Sequence, residues 1–201
     1  MSDPEPSKTT LRRDDLRARL VDLAEAQIAA KGAASLKARD LAARAGCAVG
    51  AIYNVFADMT ALVMAVNVRT FARLGDMAVM ALAAVQNAPA QDQMIALGRA
   101  YLHFAAENLP LWRALFDVAG QGVTVPEWYR IALADLFMQI EAPIAALFPH
   151  LPRRELDLMV RGLFSSVHGI VLLGLNNRSP VAPLADVEAM IAMVLGEIGS
   201  R

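Results

Sequence analysis

The chain has 201 residues, a formal net charge of −1 and a hydrophobic fraction of 56%. Its single cysteine, Cys47, excludes an intramolecular disulfide, and its polar start, MSDPEPSKTT, lacks the apolar stretch of a signal peptide, so we expect a cytoplasmic protein. Abundant Ala, Leu, Val and Met with few aromatic residues favour helix over strand. The composition therefore predicts an all-α fold.

Apolar residues at helical spacing, punctuated by glycine and proline, predict about nine helices. Residues 1–10 are polar and are expected to form a flexible arm. Ser35 is a candidate N-cap for the second helix, and loops are expected at 120–122 and 176–183. The predicted helices are 12–31, 36–45, 49–55, 60–86, 91–108, 110–118, 126–148, 153–175 and 184–198.

Positive charge is concentrated in the first third of the chain. Residues 1–75 contain 11 Lys and Arg against 8 Asp and Glu, whereas residues 76–201 contain 8 against 12. The N-terminal region is therefore the candidate contact for a polyanion. The apolar run at 162–175 is shorter than the roughly 20 residues that cross a bilayer, so we expect a buried helix and no membrane partner.

The second and third predicted helices have the spacing of a helix-turn-helix. Ala42 is small enough to let two helices approach, and Gly46, four positions later, suits a left-handed turn. The apolar residues that would pack the second helix of the motif on the first are Leu41, Cys47, Ile52 and Val55. We expect Cys47 to pack there and not to sense redox state.

The stretch GAASLKARDLAARAGCAVGAIYNVFADMTAL, residues 32–62, resembles the DNA-binding domain of TetR-family regulators. The matching positions are Gly32, Arg39-Asp40-Leu41-Ala42, Ala45-Gly46, Gly50, Ile52-Tyr53, Phe56 and Leu62. The resemblance implies a DNA-binding domain at 11–58 and a ligand-binding and dimerisation domain at 59–201. It also implies that the third helix enters the major groove of an operator.

The resemblance and the charge pattern together predict the following DNA-binding residues: Arg12, Arg13, Lys37, Arg39, Arg44, Gly50, Tyr53 and Asn54. Three alternatives stay open. Tyr53 either contacts phosphate or packs in the core with its hydroxyl at the surface. Arg39 either contacts DNA or pairs with Asp40 or Asp58. Asn54 either reads a base edge or does not.

The chain departs from the family where polar or basic residues are usual, at Ala48, Val49, Ala51 and Met59. Phosphate contacts supply most of the salt-dependent affinity for DNA, so binding is expected to be weak or to depend on other cations. The nearest candidates lie on the arm and the first helix, namely Lys8, Arg12, Arg13 and Arg17.

No metal, cofactor or catalytic centre is expected. The three histidines, His103, His150 and His168, are scattered, and no nucleophile motif or phosphate loop is present. His103 and Glu107 lie four residues apart and are interpreted as a surface pair. A helical enzyme that depends on His103 or His168 is kept as an alternative hypothesis.

The C-terminal region offers apolar and aromatic side chains on several helices, which predicts a pocket for a small apolar or aromatic effector. Its candidate residues are Tyr101, Phe104, Trp112, Phe116, Trp128, Phe137, Phe164 and His168. Phe164 precedes His168-Gly169 by four positions, which is similar to a motif of one TetR subgroup. His168 points either into the pocket or into a dimer interface.

Small residues of the eighth helix and the apolar ninth helix predict a homodimer interface. The small residues are Gly162, Ser165, Ser166 and Gly169. The function that the resemblance implies is a repressor that binds a palindromic operator as a dimer and is released by its effector. The alternative is a helical ligand-binding protein with weakened or lost DNA binding.

Overall fold

The computed structural model describes residues 7–117, 125–176 and 183–198. Over these residues the chain contains nine α-helices and no strand, which confirms the predicted all-α fold. The helices are α1 (Lys8–Lys31), α2 (Ala38–Ala45), α3 (Val49–Tyr53), α4 (Met59–Ala84), α5 (Ala90–Glu107), α6 (Leu109–Asp117), α7 (Glu127–Leu147), α8 (Arg153–Gly174) and α9 (Leu184–Gly196).

Two local predictions near the N-terminus differ from the structure. Helix α1 begins at Lys8, inside the stretch expected to be an arm, because the Ser7 hydroxyl accepts a hydrogen bond from the Thr10 amide at 3.2 Å. The prediction that Ser35 caps α2 was wrong. Its hydroxyl donates to the Gly32 carbonyl at 2.7 Å within a 3₁₀ turn, and α2 begins only at Ala38.

The loop expected at 120–122 and most of the loop at 176–183 lie outside the described residues. Contacts divide the chain into two compact units. The first comprises residues 1–70 and 108–129, and the second comprises 71–107 and 130–201. This division differs from the predicted boundary at residue 58, because the start of α4 and all of α6 pack with the first three helices.

The core of the first unit is built around α1. Leu20 and Ile28 of α1, Leu41 of α2, Ile52 of α3 and Leu62 of α4 are fully buried in one apolar cluster. Helix α6 adds Leu111 and Ala114 to the same cluster. At the surface, the Arg69 guanidinium contacts Asp22 at 2.6 Å and Glu25 at 2.9 Å, which ties α4 to α1.

The second unit is a helical bundle in which α5 packs closely against α9. A Cβ placed on Gly98 of α5 would lie 2.6 Å from Cγ2 of Ile191 and 3.1 Å from Cδ1 of Leu195, so only glycine permits this approach. The N-terminal part of α9 meets the end of α8 in the same way, because Gly174 faces the side chain of Val187. The bundle therefore depends on two small residues.

Replacing Gly98 by Ala is expected to destabilise the protein by about 1 to 3 kcal/mol, because the added methyl group overpacks the contact with Ile191. Gly75→Ala is the matched control, since a Cβ at this α4 position meets no atom within 4 Å. It should stabilise the helix by about 0.5 to 1 kcal/mol. Urea denaturation measures both changes, and equal stability of the two variants would contradict the packing argument.

Candidate DNA-binding surface and ligand cavity

The turn between α2 and α3 depends on Gly46. This residue has φ 66° and ψ 35°, a left-handed conformation that side chains disfavour. Its amide donates to the Ala43 carbonyl at 3.2 Å, and the Cys47 amide donates to the Ala42 carbonyl at 3.0 Å, so the end of α2 is closed by backbone hydrogen bonds. The chain then enters α3 only three residues after Gly46.

Helix α3 is buried on one side and exposed to solvent on the other. Ile52 is fully buried against α1 and α2, whereas Gly50, Tyr53 and Asn54 are exposed. Tyr53 is 48% exposed, so the structure does not place it in the core. The three predicted contact residues, two on α3 and Asn54 directly after it, are therefore exposed to solvent within the first unit.

The predicted cations differ in their surroundings. Arg12, Arg13, Lys37 and Arg39 are exposed and form no ion pair with any residue that the structure describes. Two others are engaged within the protein: Nη1 of Arg44 donates to Oε1 of Gln27 at 2.8 Å, and the Arg17 guanidinium lies 4.6 Å from the ring centroid of Phe56. The side chain of Lys8 lies outside the described part of the structure.

The proposed pairing of Arg39 with Asp58 is not formed. The Asp58 carboxylate instead accepts a hydrogen bond from the Ala61 amide at 2.7 Å and caps the start of α4. An acidic cap at a helix N-terminus is stabilising because the first amides lack partners within the helix. The sequence carries a signal for this cap, since an aspartate stands directly before an apolar helix.

The second unit contains a cavity of about 70 Å³, enclosed by residues of α4, α5, α7, α8 and α9. Tyr101 supplies the only polar side chain among the lining residues that the structure describes. The lining is Leu74, Met77, Ala78, Met94, Leu97, Gly98, Tyr101, Leu136, Ile140, Ile144, Leu163, Phe164, Val167 and Leu195.

Aromatic rings cluster at one wall of this cavity. The ring of Phe164 lies 5.7 Å from Tyr101 and 5.0 Å from Phe137, both in edge-on contact, and it stacks on His168 at 5.8 Å. The Tyr101 hydroxyl and Nδ1 of His168 are 2.9 Å apart, a hydrogen-bond distance. Burial lowers the pKa of the His168 imidazole, because removal from water disfavours its charged form.

The structure places the predicted ligand-binding residues in three locations. Tyr101 and Phe164 line the cavity, whereas Phe137 and His168 are not lining residues and contact the ring of Phe164. Phe104 is buried on α5 outside the lining. The other three belong to the first unit and line no part of this cavity: Trp112 and Phe116, whose rings are 5.4 Å apart, and Trp128, which is 42% exposed.

The cavity wall is mainly aliphatic, whereas the lining residues predicted from the sequence are mostly aromatic. Leu74, Met77 and Ala78 occupy one face of α4, and Leu136 and Ile140 follow the same helical spacing on α7. This spacing is visible in the sequence, but every amphipathic core helix has it. Only the packing of the helices shows which of these faces encloses a void.

His103 does not pair with Glu107. Its Nε2 atom lies 2.9 Å from Oε1 of Glu188, which connects α5 to α9 across the surface of the second unit. The predicted partner was therefore wrong, because tertiary packing brought a closer carboxylate than the helix itself provides. No group of three or more potential metal ligands occurs among the described residues.

Two family models match the sequence. Residues 20–66 match bacterial regulatory proteins of the tetR family, and residues 94–197 match the tetracyclin repressor-like C-terminal domain. Among curated proteins, none matches this sequence.

Several solved structures share the fold. A protein of unknown function from Rhodococcus sp. RHA1 superposes with a TM-score of 0.72 at 22% identity, covering 90% of this chain and 93% of that one. A tetR-family regulator from Streptomyces coelicolor has a TM-score of 0.66 at 20% identity, covering 90% and 79%. RolR in complex with resorcinol has a TM-score of 0.66 at 20% identity, covering 95% and 96%.

The chain combines a helix-turn-helix, whose second helix α3 is exposed on one side and is the recognition helix, with a helical domain that contains an apolar cavity. This combination defines a transcriptional regulator with a ligand-binding domain. The chain belongs to the TetR family, since its C-terminal model alone spans more than half of the chain. This is a family of regulators and not of enzymes.

Acidification is expected to destabilise the protein through His168. The folded imidazole has a pKa below its ordinary value of 6.5, so the unfolded chain binds more protons as the pH falls through 6.5 and the free energy of unfolding decreases. His168→Gln removes this contribution. The stability difference between the wild type and this variant should therefore shrink from about pH 7 to about pH 5. A pH-independent difference in urea denaturation would contradict the assignment.

Proposed function

We propose that this protein is a homodimeric repressor that binds a palindromic operator and is released by a small, uncharged apolar effector. The observation that carries the proposal is that residues of α4 are buried in both units. Leu62 and Val66 of this helix belong to the core of the first unit, and Leu74 and Ala78 line the cavity of the second. A ligand that moves the second half of α4 acts on the helix that also supports the recognition helix.

The size of the cavity supports a coupling between ligand and conformation. Its volume of about 70 Å³ is below the roughly 150 Å³ of an apolar cavity that holds benzene. A ring-sized ligand therefore requires the walls to separate, and Met77 and Met94 are adaptable enough to allow it. The ligand then binds the wider state better, which is the condition for a population shift.

An aromatic effector agrees with the comparison to RolR, which has been solved with resorcinol. The wall itself carries no charged side chain among its described residues, so burial of an ion would be costly. A regulator of this family acts on chromosomal DNA, and we accordingly propose a cytoplasmic location.

The proposed dimer interface is the exposed apolar surface of α8 and α9. By length and composition α8 also meets the criteria for a membrane-spanning helix, with 22% of the apolar segment buried inside the protein. We propose that a second copy covers it. The exposed apolar residues of the two helices are Leu158, Leu172, Leu173, Leu184, Met190, Met193 and Val194. The small residues Gly162, Ser165 and Ser166 are exposed on α8 and permit close approach.

Met193→Glu is expected to weaken dimerisation by at least about tenfold, because a symmetric interface would bury two unpaired carboxylates. Met80→Glu is the matched control, since Met193 is 69% exposed and Met80, on α4, is 66% exposed. Light scattering over a concentration series measures the association. A wild-type mass of 21.6 kDa at micromolar concentration would refute the dimer.

Replacement of both Arg12 and Arg13 by Ala should flatten the dependence of operator affinity on salt. Each phosphate contact contributes about 0.9 to the slope of log affinity against log salt, so four lost contacts in a dimer reduce it by roughly 2 to 4 units. The control is Arg99→Ala with Arg154→Ala, which removes equal charge from exposed positions of the second unit.

The second candidate function is a ligand-binding protein without operator recognition. It is favoured by the apolar or small residues Ala48, Val49 and Ala51 at the start of α3, of which Val49 is 38% exposed. An unaltered salt slope in the Arg12 and Arg13 variant, together with equal affinity for operator and random DNA, would support this alternative.

A further inference from the structure

The surface that α3 exposes is mainly apolar. The residues in and beside this helix that solvent reaches are Ala48, Val49, Gly50, Ala51, Tyr53 and Asn54. The alanines and the valine neither belong to the described core of the first unit nor pack against it. Residues 48–54 contain no charged side chain, and their only polar side-chain groups are the Tyr53 hydroxyl and the Asn54 carboxamide. This surface is therefore not used for the protein's own folding and is open to a partner.

Gly50 is not required by the packing of the protein itself. It lies in α3 without a positive φ, and a Cβ placed on it would meet no described atom within 4 Å. Alanine favours a helix more than glycine does, so a side chain at this position would stabilise α3. Glycine is also the residue that lets another molecule approach the backbone closely. The missing side chain of Gly50 therefore favours close approach of a partner to the exposed side of α3.

In this family the partner of the helix-turn-helix is DNA. The second helix of the motif lies in the major groove, where its first residues contact base edges. Thymine is the only one of the four bases that presents a methyl group in this groove, beside the donors and acceptors that all base pairs present. The side chains of alanine and valine form no hydrogen bonds, but they can pack on such a methyl group. The composition of α3 therefore matches thymine better than any other unmodified base.

We propose that α3 recognises its operator mainly through thymine methyl groups, which pack against the side chain of Val49 and the backbone at Gly50. This inference rests on the proposed function, in which the protein binds a specific operator. Phosphate contacts made by cations outside α3, such as Arg12 and Arg13, add affinity but carry no sequence information. Discrimination between sequences then depends on whether a methyl group occupies each contacted position.

The test uses an operator duplex that the full chain selects from random-sequence DNA. Each thymine is replaced in turn by deoxyuridine, which removes the methyl group and leaves base pairing unchanged. At a contacted position, one replacement should weaken binding by roughly fourfold, because burial of one methyl group contributes about that much to affinity. The symmetric replacement in both half-sites should weaken it by roughly fifteenfold. Fluorescence anisotropy at constant salt measures these affinities.

Cytosine and 5-methylcytosine measure the same methyl group on a different base pair. Replacement of the contacted T·A pair by C·G should weaken binding at least as much as deoxyuridine does. Because 5-methylcytosine restores the methyl group at the same place in the major groove, it should bind roughly fourfold better than cytosine in each half-site.

Protein variants assign the effect to α3. In Val49→Ala the difference between thymine and deoxyuridine should fall below about twofold, whereas Val49→Thr keeps a methyl group and should retain the difference. Asn54→Ala is the matched control. Asn54 is also exposed and directly follows α3, and its replacement should leave the difference between thymine and deoxyuridine unchanged.

Gly50→Ala tests the close approach. It should weaken operator binding by at least about tenfold, because the added methyl group occupies space that the DNA needs in both half-sites. It should not lower the melting temperature, because the same group meets no described atom in the free protein. A lower melting temperature would assign this glycine to packing and contradict the close approach.

Two kinds of failure are distinguishable. Equal affinity for thymine and deoxyuridine at every position, with the selected operator still preferred over random DNA, would overturn methyl recognition alone. A fourfold difference that persists in Val49→Ala would overturn the assignment to Val49. Failure of the selection to yield any preferred sequence would overturn the proposed operator binding, and methyl recognition with it.

Discussion

The structure depends on one helix, α4, whose apolar side chains are buried in both units. Helix α4 extends over 26 residues, and its apolar positions are buried from Leu62 near its start to Ala78 near its end. Its first half completes the core of the DNA-binding unit, and its second half forms a wall of the cavity. A helix resists bending because its backbone hydrogen bonds are closed within it. The same helix therefore supplies buried apolar side chains to each of the two units.

A buried polar group holds the first half of α4 in place. Asn67 is fully buried, and its Nδ2 atom donates to the Ala114 carbonyl at 3.0 Å and to the Tyr129 hydroxyl at 3.3 Å. Burial raises the pKa of Tyr129, so this hydroxyl stays protonated. Buried polar groups are costly unless they are paired, and these bonds consequently constrain α4 against α6 and α7 more specifically than apolar contacts do.

The fold was predictable where local chemistry decides it. Gly46 is required by its left-handed backbone, and the apolar periodicity around Leu41 and Ile52 placed the helix-turn-helix within one or two residues. Helix ends were less predictable, because Ser35 had a choice between capping α2 and closing a 3₁₀ turn. The division into units differs from the predicted boundary for a different reason. Nothing local in α6 indicates that Leu111 packs beside helices almost a hundred residues earlier.

The candidate site was predictable only in part. Sequence composition correctly indicated a domain rich in apolar side chains, and it named Tyr101 and Phe164, which line the cavity. It also named Trp112, which is 1% exposed in the core of the other unit. An aromatic residue in a helix has the same sequence signature whether it fills a core or borders a void. The distinction lies in the difference between the volume of the side chains and the space between the helices, which is a property of the whole packing.

The cavity wall is aliphatic, and a hydrogen bond beside it connects two of the helices that enclose it. Leucine, isoleucine and methionine side chains favour an apolar occupant by removing its surface from water, a contribution that grows with area and distinguishes poorly between similar molecules. The Tyr101 hydroxyl and Nδ1 of His168 are 2.9 Å apart, and these residues belong to α5 and α8. Their hydrogen bond therefore restrains the distance between these two helices. Any separation of α5 from α8 that widens the cavity would stretch this bond, so the pair contributes to the energy that keeps the cavity narrow.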